Sequence, residues 1–180
     1  MKTNKFFLLV GLLIAFNVSF AQERVNIREG WYFLRCKTDN DLYIGLKKGS
    51  ATAGQNIQLC AYNDGASQQW YFEKDENEDG TYVIYSGVSN ANSNGYVLGI
   101  KNGTIQNSQN IELQKYNGSL SQRWVITRDP YDNNYYMIRS AKNTNFVIDI
   151  AKSDFAIGSN IELYKDNDGK IVSQKWGFAK

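Results

Sequence analysis

Short runs in which apolar and polar residues alternate recur along the chain and determine its predicted secondary structure. Examples are Ile57-Gln58-Leu59, Ile111-Glu112-Leu113 and Ile161-Glu162-Leu163. Alternation over a few residues is typical of a β-strand with one buried face. Asp-Gly and Asn-Gly dipeptides such as Asp64-Gly65 and Asn117-Gly118 stand between the runs, and they supply the positive φ that a tight hairpin turn needs. No helical period competes with these signals, so the predicted fold class is all-β.

One sequence pattern recurs three times at a nearly constant period. Ser-Gln-x-Trp occurs at residues 67–70, 121–124 and 173–176, 54 and then 52 residues apart, and each copy follows an Asn-Ile-x-Leu block. This self-similarity indicates three structural repeats near residues 30–75, 80–128 and 134–180. Each repeat contains about four short strands, so we expect about twelve in all. Threefold closure of these strands into a barrel capped by hairpins predicts a β-trefoil.

The repeated motif has a structural explanation. We expect Trp70, Trp124 and Trp176 each to bury a large ring in the shared core. The motif glutamines, two positions earlier, carry amides that can both donate and accept hydrogen bonds in the adjoining loop. These residues are therefore predicted to hold the fold together.

The first residues have the pattern of an export signal. Lys2 and Lys5 precede an apolar run that begins at Phe6, and Ser19-Phe20-Ala21 forms a small-x-small cleavage site. The apolar stretch is shorter than the ~20 residues that an uncleaved membrane anchor would need. We therefore predict a signal peptide at 1–21, a mature single domain at 22–180, and a secreted or periplasmic location after cleavage before Gln22.

The charge balance argues against a nucleic-acid partner. The full chain has 20 Lys and Arg residues against 18 Asp and Glu residues. Cleavage of the signal removes two lysines and no acidic residue, which leaves 18 of each. A mature protein without net charge lacks the cationic surface on which counterion release depends.

The chain contains no histidine, which excludes several chemistries at once. Ser-His-Asp and Cys-His nucleophiles and His-ligated zinc sites all require this residue. Two cysteines, Cys36 and Cys60, are too few for a four-thiolate site. They could form a disulfide in an oxidising compartment or remain as buried free thiols. We predict no enzymatic activity, no cofactor and no metal.

An acidic segment between the first two repeats resembles the start of a calcium-binding loop. Asp75-Glu76-Asn77-Glu78-Asp79-Gly80 has the alternating oxygen ligands and the glycine of such a loop. Its twelfth position is Ser86 where the loop needs glutamate, and the intervening residues have a strand pattern. We interpret the segment as a solvated turn.

The Gln-x-Trp motif in three repeats, each after an Asn-Ile-x-Leu block, resembles the ricin B-type lectin family of β-trefoils. The resemblance covers roughly Gly30 to Phe178. In that family a working sugar site combines an Asp on the second strand of a repeat with an aromatic ring just after the Ile-x-Leu strand. Polar groups from the loop that ends in Gln-x-Trp complete it. The resemblance therefore implies carbohydrate binding.

Only the third repeat has both the acid and the ring. Asp149 occupies the acid position within Ile148-Asp149-Ile150, and Tyr164 follows Glu162-Leu163. The loop from Asp166 to Val172 is two residues longer than its counterparts, and Ser173 replaces an asparagine that is frequent in the family. The candidate sugar-binding residues are Asp149, Glu162, Tyr164, Asn167, Ser173 and Gln174. In the first two repeats the acid position holds Gly45 and Gly99, and the ring position holds Cys60 and Gln114.

Strand alternation gives an independent reason to pair the acid with the ring. If Ile148 and Ile150 point into the core, Asp149 between them must point outward. The same alternation on the next strand turns Glu162 and Tyr164 outward. A tyrosine ring can cover the C–H face of a sugar while a carboxylate accepts hydrogen bonds from its hydroxyl groups. Tyr62 and Tyr116, two positions beyond the expected ring, either support altered sites or cover the barrel.

These observations predict a secreted, lectin-like protein with one sugar site, which binds glycan weakly and one at a time. A single acid and a single ring supply about 4 kcal/mol, which corresponds to a millimolar dissociation constant. The alternative is a β-trefoil that binds a protein partner, as an inhibitor or an effector, and that does not bind sugar.

Overall fold

A computed structural model describes residues 23–38, 41–76, 80–89 and 95–180. The predicted signal peptide, and residues 77–79 of the acidic segment, lie outside these ranges. The described residues form twelve strands, four in each repeat. They are β1 Gly30–Cys36, β2 Leu42–Leu46, β3 Ile57–Ala61, β4 Gln69–Lys74, β5 Tyr82–Ser86, β6 Tyr96–Ile100, β7 Gln109–Lys115, β8 Arg123–Asp129, β9 Asp132–Ser140, β10 Asn143–Ile150, β11 Ile161–Lys165 and β12 Trp176–Ala179.

Six of these strands close into a barrel and the other six form three hairpins. Antiparallel pairing runs from β1 to β4, β5, β8, β9 and β12 and returns to β1. The hairpins are β2–β3, β6–β7 and β10–β11. Their second strands meet around the pseudo-threefold axis, where each motif asparagine faces the x residue of a neighbouring Ile-x-Leu. The predicted β-trefoil is confirmed.

The three motif tryptophans tie the hairpins to the core in the same way. Trp70, Trp124 and Trp176 are fully buried. The indole N–H of Trp124 donates to the carbonyl oxygen of Leu98 at 3.1 Å, and those of the other two donate to Ile44 and Ile148. Each acceptor lies one residue before the acid position of its repeat. The tryptophans therefore fix the strand from which a sugar-binding acid would project.

The motif glutamines close the loops that precede the tryptophans. Gln68 donates to the Ala61 carbonyl at 2.6 Å and accepts from the Asn63 N–H at 3.0 Å. Gln122 makes the same two bonds, with Lys115 and Asn117. The prediction that these amides both donate and accept is confirmed in the first two repeats.

The two cysteines belong to opposite faces of the first repeat. Cys36 lies in the core and is fully buried, whereas Cys60 follows the core residue Leu59 and is partly exposed on the outer face. Both are free thiols. Within the described ranges, no helix has the length and hydrophobicity needed to cross a membrane.

Candidate functional site

A carboxylate pair lies at the centre of the third repeat. Strands β10 and β11 pair in a register that sets Asp149 directly opposite Glu162. The neighbours Ile148, Ile150 and Ile161 are fully buried in the core. Because side chains alternate along a strand, both carboxylates project from the outer face of the hairpin. Asp149 and Glu162 line the same cavity, which agrees with the outward orientation predicted for them.

Asp149 and Glu162 line a cavity of about 320 Å³. Tyr164 lies two residues after Glu162 on the same face and lines the same cavity. The 3-10 turn Ala151–Ser153, which follows β10, and the loop before β12 supply the other walls from the third repeat. The lining residues are Ser108, Asp149, Lys152, Ser153, Glu162, Tyr164 and Ile171. An acid, a ring and several hydroxyl groups thus converge on one depression.

One wall of the cavity comes from the second repeat. Ser108 precedes β7, which pairs with β11 across the threefold axis. Its Oγ donates a hydrogen bond to Glu162 Oε1 at 3.2 Å. The first and third repeats have Gly54 and Gly158 at the equivalent position, so this hydroxyl is present only where it faces the carboxylate pair. Comparison of each position across the three repeats could have found it from the sequence.

Backbone strain is concentrated at this cavity. Six non-glycine residues in the described ranges have positive φ angles, and three of them line the cavity: Ser108 at 58°, Lys152 at 58° and Ser153 at 52°. The second-repeat counterpart of Ser153 is Gly103, which takes φ of 63° without a side-chain penalty. Left-handed backbone at a residue other than glycine costs about 1–2 kcal/mol. Such outliers cluster at functional sites because the side chain is needed there.

Burial shifts the titration of both carboxyl groups. Only 5% of Asp149 and 7% of Glu162 are exposed. Burial raises the pKa of Asp149 above its ordinary value, and the Ser173 hydroxyl and the Gln174 amide oppose this in part. Burial also raises the pKa of Glu162; the Ser108 hydroxyl opposes the shift, the charge of Asp149 adds to it, and the charge of Lys152 opposes it. Each group thus holds its proton more tightly than in water.

The remaining predicted site residues are not all brought to the cavity. Gln174 is fully buried behind Asp149 and donates to Asp149 Oδ2 at 3.2 Å, so it positions the acid. Ser173 is also buried, and its hydroxyl lies 3.0 Å from that of Ser153 on the cavity wall. Asn167 is exposed and does not line the cavity.

The position of Asn167 follows from how its loop is anchored. The buried guanidinium of Arg139 binds Asp166 Oδ2 at 2.8 Å. The other carboxylate oxygen of Asp166 accepts the N–H of Gly169 at 2.8 Å. The extra loop residues therefore turn between these two anchors and leave Asn167 in solvent.

In the second repeat, the side chain of Gln114 occupies the space that an acidic side chain takes in the third repeat. Gly99 occupies the acid position, and a Cβ atom there would collide with the amide of Gln114. That amide donates to the Ile100 carbonyl at 3.1 Å and accepts from Gln122. A cavity of about 430 Å³ remains beside Gln114, but it has neither the second acid nor an aromatic ring.

In the first repeat, the side chains of Gln68 and Cys60 occupy the space beside the acid position. A Cβ atom at Gly45 would lie 3.0 Å from Gln68 and 3.1 Å from the sulfur of Cys60. Tyr62 packs against Phe33 and Tyr43, with ring centroids 5.4 and 4.9 Å apart. Tyr116 of the second repeat likewise packs against Tyr85, at 5.8 Å. Both tyrosines cover the outside of the barrel.

The strain at Ser108 predicts a difference between two substitutions. Ser108→Gly and Ser108→Ala both remove the hydroxyl group, but only glycine relieves the left-handed backbone. We expect the glycine variant to be more stable than the alanine variant by about 1 kcal/mol in free energy of unfolding. Urea denaturation of the two proteins measures the difference. Equal stabilities would show that the backbone at Ser108 is unstrained.

The described residues contain no group of three or more acidic or cysteine side chains that could hold a metal ion. Residues 77–79, within the acidic segment that resembles a calcium loop, lie outside the described ranges.

One protein family matches this chain. The family described as "Ricin-type beta-trefoil lectin domain-like" matches residues 66–164, more than half of the chain. A comparison with the sequences of curated proteins finds no significant match.

Several solved structures share the fold at low sequence identity. The designed threefold symmetric protein ThreeFoil has a TM-score of 0.73 and 21% identity, over 83% of this chain and 98% of its own. The Rhizoctonia solani agglutinin has a TM-score of 0.70 and 22% identity, over 88% and 99% of the two chains. The Macrolepiota procera ricin B-like lectin, solved with lactose, has a TM-score of 0.68 and 21% identity, over 87% and 99%.

Proposed function

We propose that this chain, which belongs to the ricin-type β-trefoil lectin-like family, is an exported, non-enzymatic protein that binds carbohydrate in the cavity of its third repeat. The observation that supports this most strongly is the convergence there of Asp149, Tyr164 and three of the six strained non-glycine residues. Neither of the other repeats combines an acid with a ring. The predicted export signal supports a secreted or periplasmic location.

The cavity offers complementary groups to the two sides of a sugar ring. Asp149 lines the cavity, and its Oδ1 atom has no hydrogen-bond partner among the described residues, which makes this carboxylate the acceptor that we propose for a sugar hydroxyl. Its other oxygen is held by Gln174. Tyr164 can cover the C–H face of the sugar. The hydrogen bond from Gln174 restrains the Asp149 side chain, which reduces the ordering cost of binding.

The proposed binding is weak and monovalent. Hydrogen bonds to a charged acceptor contribute about 1.5–3 kcal/mol each, and a ring contact adds about 1 kcal/mol. Their sum corresponds to a dissociation constant in the millimolar range. A monomer with a single binding site cannot bind two glycans at once, so it cannot bridge two cells. We therefore expect the monomer not to agglutinate cells.

A glycan array followed by calorimetric titration tests the proposal. We expect wild-type protein to bind a set of glycans with a stoichiometry of one per chain, and Tyr164→Ala to lose about 5-fold in affinity. Tyr116→Ala is the matched control, since Tyr116 lies outside the cavity, and it should bind as wild type does. Two results together would instead favour a protein-binding module. These are the absence of binding to any glycan on the array and the capture of a protein partner that added sugars do not displace.

A further inference from the structure

The carboxylate pair of the third repeat is unusual within this molecule. Residues directly opposite on antiparallel strands have Cβ atoms about 4.5–5.5 Å apart, and like charges there are destabilising. Asp149 and Glu162 occupy such a pair. The equivalent pairs of the other hairpins are Gly99 with Glu112 and Gly45 with Gln58. Two opposed acids therefore occur in the cavity hairpin alone among the three.

Other buried carboxylates in the chain are paired with cations. Asp129 is almost fully buried and binds the ammonium groups of Lys37 and Lys175, each at 2.9 Å. Asp166 pairs with the buried Arg139. Ion pairing offsets the desolvation of a buried charge, which is otherwise costly. The protein thus neutralises these carboxylates with its own lysine and arginine side chains.

Asp149 and Glu162 lack this compensation. Both are more than nine-tenths buried, and neither forms an ion pair with a described residue. Asp149 lines the cavity, and its buried Oδ1 atom has no hydrogen-bond partner among the described residues. Lys152 lines the same cavity and its charge acts on Glu162, but its side chain is exposed and it forms no direct ion pair with either acid. The cavity therefore holds two opposed, desolvated carboxyl groups, and no described residue forms a direct ion pair with either of them.

We propose that this cavity selects sugars that carry a free ammonium group, such as 2-amino-2-deoxyhexoses, over their neutral and N-acetylated forms. The inference rests on the proposed carbohydrate function. An ammonium group has three donors and a positive charge, so it can bind Asp149 Oδ1 and a Glu162 oxygen together. A neutral hydroxyl satisfies one oxygen and leaves the repulsion between the acids in place. N-acetylation removes the charge and adds an acyl group to the donor nitrogen.

Calorimetric titration with galactosamine, galactose and N-acetylgalactosamine, and with the corresponding gluco sugars, tests this proposal. EDTA is included so that a divalent cation cannot replace the ammonium group, and the pH is one at which the amine is protonated. We expect the preferred amino sugar to bind about tenfold more tightly than its neutral parent, because charge-assisted hydrogen bonds are about twice as strong as neutral ones. The preference should decrease as salt is added.

Variants distinguish a failure of the ammonium inference from a failure of the proposed carbohydrate function. Glu162→Gln should abolish the preference for the amine, so that the ratio of the affinities for the amino sugar and its neutral parent falls to about one. Glu112→Gln, at the same position of the second repeat, should leave the preference unchanged. If the neutral and amino sugars bind equally well to wild type, the ammonium inference is wrong while the carbohydrate function stands. If no sugar of either kind binds, both are wrong.

Discussion

Replacement of Asp149 by asparagine is expected to weaken glycan binding about 5- to 30-fold. The side chain keeps its shape, and its carbonyl oxygen can still accept from Gln174. The group presented to the ligand changes from a charged acceptor to a neutral amide. Hydrogen bonds to charged groups contribute about 1–2 kcal/mol more than neutral ones, and a sugar hydroxyl or amine would lose that difference.

The same substitution should stabilise the folded protein at neutral pH by about 1 kcal/mol, since it removes one of two opposed and buried charges. Burial raises the pKa of Asp149 in the folded state, so the folded protein holds this proton more tightly than the unfolded chain. The free energy of unfolding of the wild type therefore falls as the pH rises from the unfolded pKa through the raised folded pKa. The advantage of the variant should vanish at acid pH, where the carboxyl group is protonated.

Calorimetric titration and urea denaturation across this pH range measure both effects. Asp154→Asn is the control, because Asp154 is exposed, accepts from Ser159 at 2.9 Å and does not line the cavity. It should bind glycan and unfold as wild type does. An Asp149→Asn protein that binds normally would place the ligand elsewhere.

Replacement of Trp124 by alanine is expected to cost about 3–5 kcal/mol in free energy of unfolding. The ring is fully buried in the core, and its removal leaves a cavity that the barrel can only partly close. It also leaves the Leu98 carbonyl without its indole donor. Because small domains are stable by only about 5–15 kcal/mol, this loss is a large share of the total.

Guanidinium denaturation followed by circular dichroism measures the loss. Trp31→Ala is the matched control, since 42% of Trp31 is exposed and its ring packs on Tyr71 at the surface. We expect it to cost less than about 1 kcal/mol. Trp124→Phe should fall between the two and remain folded. Equal costs at Trp124 and Trp31 would contradict a structural role for the repeated motif.

The fold could be predicted because its determinants are repeated. The motif tryptophans recur at a fixed period, and local alternation identifies the inward side of each hairpin. The same alternation placed Asp149 and Tyr164 on one face, and the cavity has both. These inferences need only the period of the sequence and the geometry of a strand.

Other features of the site depend on contacts between distant residues. Ser108 reaches the cavity because β7 of the second repeat pairs with β11 of the third. The exposure of Asn167 depends on the pair that Arg139 forms with Asp166. The blocked acid position of the second repeat depends on how Gln114 folds back over Gly99. Spacing along the chain does not report any of these contacts.

We expect ligand to bind at one place, the cavity between β10, β11 and the Ser108 loop. Titration of isotopically labelled protein with a binding glycan, followed by amide chemical shifts, locates the site of binding. We predict that the shifted amides cluster around Asp149, Glu162 and Ser108 and saturate with a single dissociation constant. Shifts centred on the hairpins of the first or second repeat would contradict it.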